Sequence, residues 1–122
     1  MPMQAQIIRE KVSKDELQKI LKENYETMVK VDVDVKREIL TIGGEWHSDG
    51  DELLNKDGSS RENVWGINFY PWKSPNDRIQ YHSLINIKPS IGHTKMEIQN
   101  KDVKQKIKFV IEKILLANDE TL

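Results

Sequence analysis

Glu45, His47, Asp49, Asp51 and Glu52 crowd one short stretch of this chain. An imidazole beside carboxylates is the raw material of general acid–base chemistry and of divalent-cation binding. The spacing His47-x-Asp49-x-Asp51-Glu52 matches no metal motif, and an EF-hand loop needs a longer run of oxygen ligands closed by a bidentate Glu. The aspartates have a simpler use, capping a short helix through Glu52–Asn55 that Gly58 ends in the left-handed region. His47 and Asp49 are therefore only weak metal candidates, and the expectation is no cofactor.

A second set of polar residues lies on segments that alternate as strands. Asn68, Tyr70, Gln80, His82, Leu84, Asn86 and Lys88 fall on one face if the segments 63–70 and 78–88 are both strands, with Gly66 among them. Asparagine is disfavoured in strands, so Asn68 and Asn86 call for a reason, either a solvated face or a binding surface. The binding candidates are thus Glu45, His47, Asp49, Asn68, Tyr70, His82, Asn86 and Lys88. Tyr70 and Trp72 are free to stack on bases, whereas Trp65 and Phe69 belong to the core face.

The elements that must position these residues are legible from periodicity. Ser13 and Glu16 form a capping-box pattern, with Val12 and Leu17 as its staple. Leu17, Ile20, Leu21, Tyr25 and Met28 then recur at helical spacing, which predicts a helix over 14–29. Before it, residues 6–10 read as an edge strand. Val31, Val33 and Val35 alternate with Lys30, Asp32 and Asp34, a strand with one wet face. A tight turn at Lys36-Arg37 leads into a strand over 38–46, loosened by Gly43-Gly44. Residues 47–62 are polar and loop-like. Pairing Phe69 with Tyr81 would set Asn68 opposite His82 and Val64 opposite Asn86; a slip by two changes partners and not faces. Asn100 caps a final helix over 101–116, and the tail 118–122 should fray. The expected architecture is α+β, a two-layer sandwich of N-terminal helix, four-stranded antiparallel meander and C-terminal helix. It forms a single domain over 1–122 with an ordered core of about 6–117. In that meander the segment of Trp65 lies between its two sequence neighbours, and Glu45, His47, Asn86 and Lys88 meet at one rim.

Composition narrows the function. Nineteen basic and 20 acidic residues nearly cancel to a net charge of −1, so there is no general surplus of Lys and Arg to displace counterions from duplex DNA. The chain has no cysteine, which removes disulfides, thiolate metal sites and cysteine nucleophiles and fits a reducing compartment. The first ten residues show no apolar run of the secretory kind, and no stretch is long and apolar enough to span a bilayer. The expectation is a soluble, cytoplasmic protein. Phosphate-loop, dinucleotide and His-Glu-x-x-His motifs are all missing.

Three segments together resemble a known family. Gly43-Gly44-Glu45-x-His47, Trp65-Gly66-Ile67-Asn68 with Tyr70-Pro71, and Ile85-Asn86-Ile87-Lys88-Pro89 with Gly92 look like small bacterial and archaeal proteins known as a domain of unknown function, over about residues 12–115. Lys88 stands where the resemblance leads one to expect Arg, and His93 where it leads one to expect Asn; a lysine cannot supply a bidentate guanidinium contact. The resemblance implies a self-contained prokaryotic domain and carries no activity, cofactor or catalytic assignment. With no catalytic constellation in view, the leading reading is a non-enzymatic binding or regulatory module, self-associating through the open sheet face or an edge strand. The alternatives are a metal-assisted hydrolase at a rim of Glu45, His47, Asp49 and Asn86, with Lys88 as an anion clamp, and a single-stranded nucleic-acid binder using Tyr70, Trp72, His82 and Lys88.

Overall fold

The valine-rich strand Val29–Asp34 (β2) runs down the middle of a sheet, and the reason lies on both of its faces. Val29, Val31 and Val33 are buried on one side, and Asp32 and Asp34 are buried on the other. A strand covered on both sides belongs at the centre. The structure is a computed structural model, and it describes residues 4–25 and 27–122.

Five antiparallel strands take part. They are β1 (Gln6–Ile8), β2, β3 (Ile39–Ile42), β4 (Val64–Phe69) and β5 (Ile79–Gln80), in the spatial order β1-β3-β2-β4-β5. The predicted α+β class and antiparallel sheet are present, but the simple meander is not. β4 pairs with β2, Asp32 opposite Gly66 and Val33 opposite Trp65, so β3 and β4 flank β2 and never touch as neighbours. The place of β1 accounts for this: it pairs along the outer edge of β3, Ile7 opposite Thr41, so the free edge left for β4 is that of β2. The β2–β3 turn itself is as tight as predicted: Asp34 Oδ1 accepts the N–H groups of Lys36 and Arg37, and Glu38 closes it at φ 57. A non-glycine residue in the left-handed region costs about 1 kcal/mol or more. Here Glu38 is anchored by Lys106 at 2.8 Å and Lys113 at 3.1 Å.

Helices cover both faces of the sheet. Helix α1 (Lys14–Asn24) starts at the predicted Ser13 cap, whose hydroxyl accepts the Glu16 N–H. It is shorter than the predicted 14–29, because the chain is extended at Tyr25 and already in β2 by Val29. Glu26, inside the predicted span, lies outside the described residues, as do residues 1–3. Helix α3 (Lys101–Ile114) begins at the predicted Asn100 cap. Leu17, Leu21, Ile107, Val110, Ile111 and Ile114 from these helices pack on Val31, Val33, Leu40, Ile42, Ile67 and Phe69. Each large apolar side chain so buried contributes roughly 1.5–3 kcal/mol.

The opposite face, predicted to be open, is covered by a helix that the sequence offered only as a short turn through Glu52–Asn55 and that in fact starts at His47. Helix α2 (His47–Lys56) places Leu54 against Ile39 and Val64. A third layer results, and the wet face predicted for Asp32 and Asp34 is buried beneath it. A further expectation gives way. The strand over 78–88 stops after Gln80 and becomes 3-10 turns at Leu84–Asn86 and Pro89–Ile91. Ile85 consequently joins the Ile39–Leu54–Val64 cluster, and Ile87 is exposed. The buried Arg78 guanidinium donates to the carbonyls of Leu116, Ala117 and, within the segment 118–122, Glu120.

Candidate functional site

Between α2 and the sheet runs a chain of hydrogen-bonded side chains. Asp32 Oδ1 lies 2.7 Å from His47 Nδ1, and His47 Nε2 lies 2.9 Å from Asn68 Oδ1. The Asn68 amide donates to Gln80 Oε1 at 2.9 Å. With a carboxamide oxygen facing Nε2, that nitrogen carries a hydrogen, so a second proton is held between Asp32 and Nδ1. Burial pushes the Asp32 carboxyl up to about 6, partly offset by its hydrogen bond to His47. Both ring nitrogens of His47 are occupied. A general base or a metal ligand needs one of them free.

Two glycines permit this packing. A Cβ on Gly50 would fall 2.3 Å from both Asp32 Oδ2 and Thr41 Oγ1, and one on Gly66 would fall 2.6 Å from Ser83 and 2.9 Å from His47 Nδ1. Ser83 and His47 thus border the same space that Gly66 leaves, and the Ser83 hydroxyl accepts the Ile85 N–H.

Asn86 replaces a missing strand. β5 covers only the Asn68–Phe69 end of β4, which leaves Gly66 without a neighbour on that side. The Asn86 side chain accepts from Gly66 N–H at 2.8 Å and donates to Gly66 C=O at 2.9 Å, and it also reaches Met96 C=O. One carboxamide does the work of a paired residue, which is the reason an asparagine sits there.

The next turn builds a hollow. Lys88 is 8% exposed, and its ammonium donates to Arg61 C=O at 2.6 Å and lies 5.0 Å from the centre of the Trp65 ring. It has no carboxylate partner among the described residues. Burial lowers the Lys88 pKa, with Asp51 and Asp32 opposing that trend through their charges. Lys88, Asp51, Arg61 and Glu62 share an open hollow of about 310 Å³ with the side walls Ile85 and Ile87 and the floor of the Pro89 turn. Asp51 is itself buried. Its Oδ2 accepts from Arg61 at 2.8 Å, and its Oδ1 has no hydrogen-bond partner.

The family described as "Protein of unknown function (DUF5674)" matches residues 6–114, nearly the whole chain. The chain belongs to the DUF5674 family. No curated protein and no solved structure matches it. In this DUF5674 chain the three segments that carried the resemblance converge in space. His47, Gly66 and Asn68 meet under α2, and Asn86 and Lys88 edge the same layer.

The predicted site residues are brought together only in part. His47, Asn68 and Asn86 gather around Gly66, although through α2 crossing over β2 and not through adjacent strand ends. The expected pairing of Asn68 with His82 is a slip of two, since Asn68 faces Gln80. His82 bridges to Glu97 instead, and Tyr70 donates to Gln80 at 3.4 Å. Glu45 is exposed, and Asp49 turns back to accept the Trp46 N–H that opens α2. Among the described residues no group of three or more His, Asp or Glu side chains converges to hold a metal ion. Asp32, Asp51 and Arg61 were missed. Asp32 read as the wet half of an alternating strand, and only a recognised α2 would have put it in the interior.

Proposed function

We propose that this chain is a small binding module, and that its hollow takes an anionic small molecule on Lys88. Lys88 carries this reading. A buried ammonium that makes one carbonyl hydrogen bond and no ion pair retains donors, and the charges of Asp51 and Asp32 and the Trp65 ring offset its burial only in part. Arg78 shows the contrast, since its buried guanidinium spends its donors on three carbonyls at the end of α3. A ligand carboxylate or phosphate would satisfy what the fold leaves open at Lys88. The hollow's volume falls at the small end of ligand pockets, roughly 300–1,000 Å³.

The alternative enzyme reading has less support. A hydrolase at Glu45, His47, Asp49 and Asn86 would need three side chains that are already engaged, His47 with Asp32 and Asn68, Asp49 at the α2 start and Asn86 on Gly66. A single-stranded nucleic-acid reading would use Lys88 along an open groove, where phosphates track exposed cations, and this lysine is buried. Self-association through the sheet face would require α2 to leave it.

Thermal unfolding in the presence of small carboxylates and inorganic phosphate tests the proposal. A ligand at about 100 times its Kd stabilises by roughly 2.7 kcal/mol, so a rise in Tm is expected for the wild-type chain and none for Lys88→Met. Equal shifts in both proteins would refute it.

A further inference from the structure

The hollow that holds Lys88 is apolar along one wall. Ile85, Ile87 and Pro89 line it together with Lys88 and Arg61. The Lys88 ammonium donates to the Arg61 carbonyl at 2.6 Å, so the cation and the apolar wall border one space. The turns Leu84–Asn86 and Pro89–Ile91 bring this about, because Ile87 and Lys88 form the short link between them. Ile85 is fixed by its packing on the Ile39–Leu54–Val64 cluster. Ile87 is 38% exposed, so water reaches an aliphatic side chain within the hollow. A ligand that covers it removes apolar surface from water.

Charge sets what stands at the other end. Of the two cations that line the hollow, Arg61 is paired with Asp51 at 2.8 Å, and Lys88 is in no ion pair among the described residues. Asp51 and Glu62 line the hollow too. One negative charge on a ligand is met by Lys88. A second on the same ligand would face Asp51 and Glu62 with no cation left to offset it, and like charges repel more strongly away from bulk water. A singly charged head on an apolar body therefore suits these walls better than a phosphate dianion. The volume of about 310 Å³ limits that body to a short chain.

Given the hollow as an anion site, the reading on which this rests, we infer that its ligand is a short aliphatic monocarboxylate. The carboxylate meets Lys88, and the alkyl chain lies along Ile85, Ile87 and Pro89. Each methylene that reaches the wall strengthens binding about two- to fourfold, according to how fully it is covered.

The test is an NMR titration of the full chain with acetate, butanoate, hexanoate, hexan-1-ol and inorganic phosphate at fixed ionic strength. Hexanoate is expected to bind about tenfold or more tighter than acetate, with butanoate between them and phosphate weaker than hexanoate. Hexanoate no tighter than acetate, or phosphate tighter than hexanoate, would overturn the monocarboxylate inference and leave the anion reading standing. Failure of every anion to bind, or hexan-1-ol binding as tightly as hexanoate, would overturn the two together. Ile87→Ser should cut the ratio of hexanoate to acetate affinity about threefold or more, and a ratio equal to the wild type's counts against the inference. Should that variant not fold, nuclear Overhauser contacts between the hexanoate methylenes and the Ile87 methyls of the wild-type chain answer the same question. They are expected, and their absence overturns the inference.

Discussion

The side chain of Asn86 grips Gly66 by both its N–H, at 2.8 Å, and its C=O, at 2.9 Å, and so closes the sheet edge that β5 leaves open. The 3-10 turn that bears Asn86 leads directly into Lys88, so this pair of bonds also sets where the hollow lies.

Asn86→Ala should therefore destabilise the chain by about 2–4 kcal/mol, since two buried backbone groups lose their partners at once. Asn86→Asp keeps an acceptor for the Gly66 N–H but loses both donors, and should be no less damaging. Urea denaturation measures both. A loss below about 0.5 kcal/mol for the alanine variant would mean that solvent replaces the carboxamide freely.

Gly50→Ala and Gly66→Ala should each destabilise by about 1–3 kcal/mol through overpacking. The added methyl of the first meets Asp32 and Thr41 at 2.3 Å, and that of the second meets Ser83 at 2.6 Å. Gly58→Ala is the control for open space, for nothing lies within 4 Å of its Cβ position; any loss there comes from the backbone at φ 109. Similar behaviour of Gly50 and a surface helical glycine in denaturation would show that α2 does not press on the sheet.

Asp32 makes stability depend on pH in a definite direction. Its carboxyl titrates at about 6 when folded, against an ordinary 3.8. The unfolded chain therefore gives up this proton first as pH rises, and the folded state loses stability across about pH 4–6. The loss is absent below that window, complete above it, and on the order of 3 kcal/mol. His47 and the Asp51 N–H bond this carboxyl, the Asp51 charge bears on it, Thr41 flanks it from β3, and Lys88 lies close enough to act on it. Asp32→Asn removes the titrating group and should flatten the profile over that window. Parallel profiles for the two proteins, followed by chemical denaturation at a series of pH values, would contradict this.

Much of the frame was legible beforehand, and the failures have two causes. The Ser13 and Asn100 caps, the valine alternation of β2 and the core placement of Trp65, Ile67 and Phe69 follow from local chemistry, and the structure bears them out. The N-terminus of α2 did not. His47 opens that helix with Trp46 at the cap position, and Trp offers no acceptor for the helix N–H groups; the capping contact runs backwards, from Asp49 to Trp46 N–H. Once α2 is shortened to Glu52–Asn55 and its first turns are read as loop, Asp32 and Asp34 look solvated and the face bearing Asn68 looks open. The segment 78–88 alternated well enough for a strand, but Asn86 pairs with β4 through its side chain, a contact that strand periodicity does not encode.

Lys88→Met separates a structural lysine from a binding one. Loss of the bond to Arg61 C=O and relief of a buried charge oppose each other, so stability should stay within about 1 kcal/mol of the wild-type chain. A loss above about 3 kcal/mol would mean that the ammonium is there to hold the fold.

The most direct test of the hollow as an anion site is the titration of Lys88 itself, followed by NMR on the chain labelled at lysine Cε. Free, Lys88 should lose its proton below the other lysines because burial outweighs the opposing charges of Asp51 and Asp32, and saturating 4-methylpentanoate, a small carboxylate, should raise its pKa toward theirs. A Lys88 resonance that titrates with the exposed lysines, or one that the carboxylate leaves unmoved, would contradict the account.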